Sequence, residues 1–222
     1  MATLEKPLNE TARIEALKKY SILDTPPDGS FDRITALASA IFKVPIAIIS
    51  LVDTDRIWFK SHHGLPVQQI DREPGLCASA ILSNDSYIIE NAIDDPRSLA
   101  NPLVAGDFGL RFYAAAPLQT DDHCNLGTLC IIDKTPRHFT DEEKEILRGL
   151  ARIVMDEMEM RLTLRNTVSK IKHLTADISS HLQTTIKKVE ASPGEDHTQK
   201  VLSYLDASRM FILNVENQLN QL

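Results

Sequence analysis

The sequence predicts an α+β protein. Its first part is an antiparallel sheet of five or six strands flanked by helices; its last part is a long helix leading into an antiparallel coiled-coil hairpin, completed by a second copy as a four-helix bundle. Three observations predict this. Short apolar runs arrive as hairpin pairs rather than in regular βαβ alternation. Beyond Thr140, Leu, Ile and Val recur at 4-3 spacing. The aromatic residues, 5% of the 222, thin out at the same place: Trp58 is the single tryptophan, and only Tyr204 and Phe211 lie beyond residue 140.

Taken in order, Ala12 to Tyr20 places Ile14, Leu17 and Tyr20 on one helical face, with Lys18 and Lys19 at the negative pole. Thr25-Pro26-Pro27-Asp28-Gly29 ends that helix. Ser30 is positioned to cap a second one, whose stripe is Phe31, Ile34, Leu37, Ala38 and Ile41. Pro45 to Val52 is nearly uniformly apolar and β-branched, as suits a strand covered on both faces. After the Asp53-Thr54-Asp55 turn, Arg56 to His62 alternates as its hairpin partner, with Ile57, Phe59 and Ser61 on one side and Trp58, Lys60 and His62 on the other. Gly75 to Ser83 reads as a short helix and Tyr87 to Ile89 as a short strand. Asn91 to Gly109 reads as a long loop with at most a turn of helix, the kind that serves as a lid or binding loop. Phe112–Leu118 and Leu126–Ile132, joined at Asp121-Asp122-His123, form a second hairpin.

Thr140 and Glu143 make a capping box, and the pattern then allows one helix of roughly 50 residues before Pro193. Leu164, Val168, Ile171, Thr175, Ile178, Leu182, Thr185 and Val189 are its a/d seam. A turn at Ser192-Pro193-Gly194 leads to a matching seam at Val201, Leu205, Ser208, Ile212, Val215, Leu219 and Leu222.

Charge and composition exclude several functions. With 24 Lys and Arg against 31 Asp and Glu, the net charge of −7 repels nucleic-acid phosphates and anionic membrane surfaces. Met1 to Pro7 lacks the features of a secretory signal, and no apolar run approaches a membrane span. Cys77, Cys124 and Cys130 are odd in number and match no zinc spacing; the seven histidines show no metal-ligand pattern either. The expectation is a cytoplasmic protein with free thiols, no metal and no specified cofactor.

Several strings, in this order, resemble the GAF domain family of bacterial signalling modules: Ile22-Leu23-Asp24-Thr25-Pro26-Pro27, Phe31-Asp32-Arg33, Pro45-Ile46-Ala47 with Ser50-Leu51-Val52-Asp53, Asp55-Arg56-Ile57-Trp58-Phe59-Lys60, Leu76-Cys77-Ala78-Ser79-Ala80-Ile81, Asn101-Pro102-Leu103-Val104, Arg111-Phe112-Tyr113-Ala114 and Leu126 to Asp133. The resemblance covers roughly residues 8 to 162. It implies a sensory domain over 1–162, with 163–222 as a hairpin for dimerisation and signal output. It leaves the ligand open, because members bind cyclic nucleotides, tetrapyrroles, haem or small metabolites, or nothing. Bilin attachment commonly uses a cysteine followed by His, whereas Cys77 is followed by Ala78, and Ser79 stands where related chains often carry His.

The candidate ligand-binding residues are Arg56, Trp58, Lys60, Cys77, Arg111, Tyr113 and Cys130. Arg56 or Arg111 would grip an anionic group while Trp58 or Tyr113 stacks on a ring. The alternative is structural: Arg111 pairs with Asp94 or Asp95, Trp58 plugs a sheet edge, and Cys130 is a small buried hydrophobe. The tail resembles the phosphotransfer hairpin of sensor histidine kinases, with His181 as phosphoacceptor and Thr185 four residues on. It departs from that pattern at Leu182, usually an acid, and at Ile186, usually a proline. The expected function is a non-enzymatic sensor of a two-component or similar system. It would bind a small molecule or a signalling protein and transmit its state through a homodimer formed by 163–222. The alternatives are a phosphotransfer protein or fragment of a sensor histidine kinase, and a thiol-dependent methionine sulfoxide reductase of the GAF type.

Overall fold

The computed structural model describes residues 7, 9–99, 101–190 and 197–219. It divides into two compact units, Met1–Met160 and Arg161–Leu222. The first contains α1 (Glu10–Tyr20), α2 (Gly29–Phe42), β1 (Ile46–Val52), β2 (Arg56–His63), β3 (Gln69–Asp71), α3 (Leu76–Ala80), β4 (Tyr87–Ile89), α4 (Pro102–Ala105), β5 (Phe112–Gln119) and β6 (Asn125–Asp133). Helix α5 (Asp141–Glu190) begins there, and α6 (His197–Leu219) follows in the second unit.

The six strands make one antiparallel sheet in the order β3-β2-β1-β6-β5-β4. Both the α+β class and the two hairpins match the expectation. β1 is buried along its whole length, as its nearly uniform apolar run requires. It lies against β6 so closely at Gly127 that a Cβ there would sit 1.9 Å from the Ser50 carbonyl oxygen. In β2 the alternation breaks: Phe59 pairs with Ser50 and Ser61 with Ile49, leaving Lys60 as the extra residue of a bulge. The bulge turns Ser61 away from the side of Ile57 and Phe59 expected for it. Its Oγ meets Thr35 Oγ1 at 2.9 Å and donates to Asp32 Oδ1 at 2.6 Å, both on α2.

Asn9 caps α1. The cap of α2 is Asp28 rather than Ser30, because Asp28 Oδ1 accepts from the Ser30 amide at 2.9 Å. α3 is shorter than expected, and α4 supplies the single turn allowed in the long loop. β3 was not anticipated: Gln-Ile-Asp carries no apolar run, and its pairing with β2 alone makes it a strand. The Thr140–Glu143 box forms as expected, with Thr140 N donating to Glu143 Oε2 at 2.9 Å and Glu143 N to Thr140 Oγ1 at 3.2 Å. Gly149 lies within the continuous α5, with open space around its Cβ position.

Buried side chains cover both faces of the sheet. On one face Ile57, Phe59, Cys77, Ala80, Ile89, Tyr113 and Cys130 form one cluster beneath α3. On the other, the rings of Phe42, Phe139 and Phe112 are in contact at 5.6 and 5.5 Å between centroids.

In the second unit Thr175, Ile186, Ile212 and Leu219 are buried, while Val168, Leu182, Leu205 and Val215 are half-buried. One line of the expected α5 seam, 168-175-182, is therefore covered. The other line, Leu164, Ile171 and Ile178, is exposed, and Ile186 is buried where Thr185 was expected. The Ser192-Pro193-Gly194 turn and Leu222 lie outside the described residues. Among the described residues, no helix is long and apolar enough to cross a membrane.

Candidate functional site

The seven candidate residues of the first unit do not meet in one place. Strand alternation and the β2 bulge send Trp58 and Lys60 to the α2 side. Cys77, Tyr113 and Cys130 lie in the cluster beneath α3.

The α3 side is an apolar layer with a small polar centre. Gly75, at the start of α3 two residues before Cys77, has no room for a side chain: a Cβ there would lie 2.2 Å from Ile57 Cδ1. Cys77 Sγ lies 4.0 Å from Cys130 Sγ and accepts from Tyr113 Oη at 3.3 Å. Ser50 and Thr128 sit opposite each other on β1 and β6, their hydroxyls 2.9 Å apart. Neither was anticipated as a site residue; both lie in apolar strand runs, where a lone hydroxyl carries no sequence signal. Hydrogen bonds from Cys130, Ser50, Tyr113 and Thr128 hold the Cys77 thiol below its ordinary pKa in spite of burial. Its hydrogen bond with Cys77 and burial push Cys130 well up, and burial does the same to Tyr113.

On the α2 side the charges are occupied. Arg56 donates from Nη2 and Nη1 to the two Asp24 carboxylate oxygens at 2.6 and 2.9 Å, from Nη1 to Gln69 Oε1 at 2.9 Å and from Nε to Asp53 Oδ2 at 3.3 Å. Lys60, 4% exposed, donates to Thr25 Oγ1 at 2.8 Å and the Pro26 carbonyl at 2.9 Å, and lies over the Phe31 and Trp58 rings. Nearby, Arg13 Nη1 donates to the Val52 carbonyl at 2.7 Å while Nε and Nη2 grip Glu10 at 2.7 and 2.8 Å; Arg72 Nη1 reaches Glu10 at 2.6 Å. Burial opposes ionisation of Glu10, yet the two guanidiniums hold its pKa at about 2.

Arg111 pairs with neither Asp94 nor Asp95. It donates to the Val104 and Leu110 carbonyls at 3.0 and 2.8 Å, and Asp95 is taken by Arg97. His181 is exposed, beside a half-buried Leu182. A separate open groove of about 460 Å³ runs between the β5–β6 turn and α5, lined by residues including Asp121, His123, Arg148 and Arg152. Among the described residues, no group of three or more His, Cys, Asp or Glu is placed to hold a metal ion.

The family model described as GAF domain matches residues 26–158. A curated cyclic di-GMP phosphodiesterase of Pseudomonas aeruginosa is 39% identical over 168 residues, which cover 75% of this chain and 28% of that protein. The chain thus spans little more than a quarter of that relative's length. The blue-light absorbing form of the PixJ GAF domain of Thermosynechococcus elongatus matches with a TM-score of 0.53 at 15% identity, over 77% of this chain and 98% of that one. The free methionine-R-sulfoxide reductase of Neisseria meningitidis in complex with its substrate gives 0.52 at 20% identity, over 74% and 99%. At these identities the solved structures speak for the fold alone.

Proposed function

Because the chain belongs to the GAF domain family, we propose that it is a non-enzymatic sensor module that binds a small molecule beneath α3 and passes its state through α5 to a homodimer formed by residues 163–222. The observation that carries this reading is the continuity of α5, a single 50-residue helix that begins in the sheet unit and ends in the second. A rotation or shift at its root displaces its far end as well. The ligand side is the layer of Ser50, Cys77, Tyr113, Thr128 and Cys130, where a few hydroxyls and thiols stand in apolar surroundings beneath two short helices. With Arg56 and Lys60 engaged on the other side, the ligand is a small neutral molecule with one or two hydrogen-bonding groups. The exposed Leu164, Ile171, Leu174 and Ile178 of α5, with Tyr204 and Phe211 of α6, support a second copy as partner. The likeness to part of a cyclic di-GMP phosphodiesterase supports an output in second-messenger turnover.

Native mass spectrometry of the purified full chain tests both halves. A dimer carrying a small molecule that Tyr113→Phe weakens is the expected result; a ligand-free monomer overturns it. The close pair of Cys77 and Cys130 favours one second reading, a thiol-dependent methionine sulfoxide reductase. Consumption of free methionine sulfoxide with a dithiol reductant, lost in Cys77→Ser, would establish it.

A further inference from the structure

Cys77 and Cys130 are 53 residues apart in sequence, yet their sulfurs lie 4.0 Å apart and both side chains are buried. Two thiols at that separation need only a small approach to reach the bonding distance of about 2 Å. Their neighbours do more than pack. Tyr113 Oη donates to Cys77 Sγ at 3.3 Å, and the paired Ser50 and Thr128 hydroxyls help to lower the pKa of that thiol. A cysteine serving only as a small hydrophobe needs no such set. The two belong to unlike elements. Cys130 lies in the middle of the sheet, between Ile48 of β1 and Ala115 of β5. Cys77 lies on a five-residue helix with no side-chain cap.

We propose that Cys77 and Cys130 form a reversible dithiol–disulfide pair, oxidised by a hydroperoxide, that fastens α3 onto the central strand β6. Cys77 is the attacking thiol, being the one whose thiolate its neighbours stabilise. Access comes from local opening of α3. The Cys77 thiolate attacks one peroxide oxygen; the O–O bond breaks, water or an alcohol leaves, and Cys77 becomes a sulfenic acid. The Cys130 thiol then attacks that sulfur, the S–O bond breaks, and water leaves as the S–S bond forms. Two thiols lose two electrons and two protons, and the peroxide is reduced by the same amount. A dithiol reductant reverses the step by exchange through a mixed disulfide. Oxidation closes the cover over the apolar layer; reduction frees it.

The test is peptide mapping of the full chain, wild type and Cys124→Ser, after hydrogen peroxide treatment and alkylation under denaturing conditions. The expected result is a Cys77–Cys130 linked peptide lighter by two hydrogens, within single chains, that dithiothreitol restores to two alkylated thiols. Sulfinic or sulfonic acid at Cys77 with Cys130 still alkylated, linkage only between chains, or two thiols that stay reduced while Cys124 of the wild type oxidises would each overturn it. The wild-type chain carries the test by itself if Cys124→Ser folds poorly. Linkage without consumption of methionine sulfoxide separates the switch from the reductase reading.

Discussion

The two faces of the sheet are built from different materials. The α1–α2 side is covered by helices of 11 and 14 residues and tied by guanidinium and ammonium groups that reach backbone carbonyls and carboxylates of other elements. The α3–α4 side is covered by helices of five and four residues over aliphatic groups, two thiols and a buried tyrosine. Directional bonds to buried charges fix one arrangement and are costly to break. Apolar contacts beneath a single helical turn re-form after opening. One face is therefore a scaffold and the other a cover.

Breaking the scaffold has the largest effect. Arg13→Ala leaves the Val52 carbonyl without its guanidinium and Glu10 with Arg72 alone, and is expected to cost about 3–5 kcal/mol in chemical denaturation. Acid loosens the same clamp. Glu10 has a folded pKa of about 2 against an ordinary 4.5, so its contribution is complete above pH 4.5 and is lost as pH falls towards 2. Urea midpoints measured over that range should fall with pH, less steeply in Glu10→Gln. Lys60→Met, which leaves the Thr25 hydroxyl and Pro26 carbonyl without their ammonium, should cost about 1–3 kcal/mol. On the cover side Tyr113→Phe removes one hydrogen bond to a sulfur and should cost about 1 kcal/mol or less, while raising the pKa of Cys77 in a thiol-alkylation rate profile. Arg97→Ala removes a half-exposed pair with Asp95, a hydrogen bond to the Ile88 carbonyl and a guanidinium over the Tyr87 ring, and should also cost about 1 kcal/mol or less.

Most of the fold was legible because hydrophobic period is a local signal. Tyr87–Ile89 was placed to the residue, and four longer strands within a residue or so, from apolar runs alone. β3 was not legible, since Gln69–Asp71 becomes a strand only by pairing with Arg56–Trp58. The site was less legible than the fold. Arg56, Trp58 and Lys60 look alike in sequence as large groups on one strand, but neither the bulge at Lys60 nor the Asp24 carboxylate that meets Arg56 from 32 residues away leaves a mark at those positions. Cys77 and Cys130 were each readable as candidates. Their 4.0 Å approach depends on where α3 lands across β6, which no local pattern encodes.

Native-state hydrogen exchange on the reduced full chain, followed by mass spectrometry across a low-denaturant series, tests the division into scaffold and cover most directly. The account predicts that amides of residues 76–80 and 103–105 exchange through local openings insensitive to denaturant, while those in the middle of α1 and α2 exchange only through global unfolding. Protection in α1 and α2 equal to or below that of α3 and α4 would contradict it.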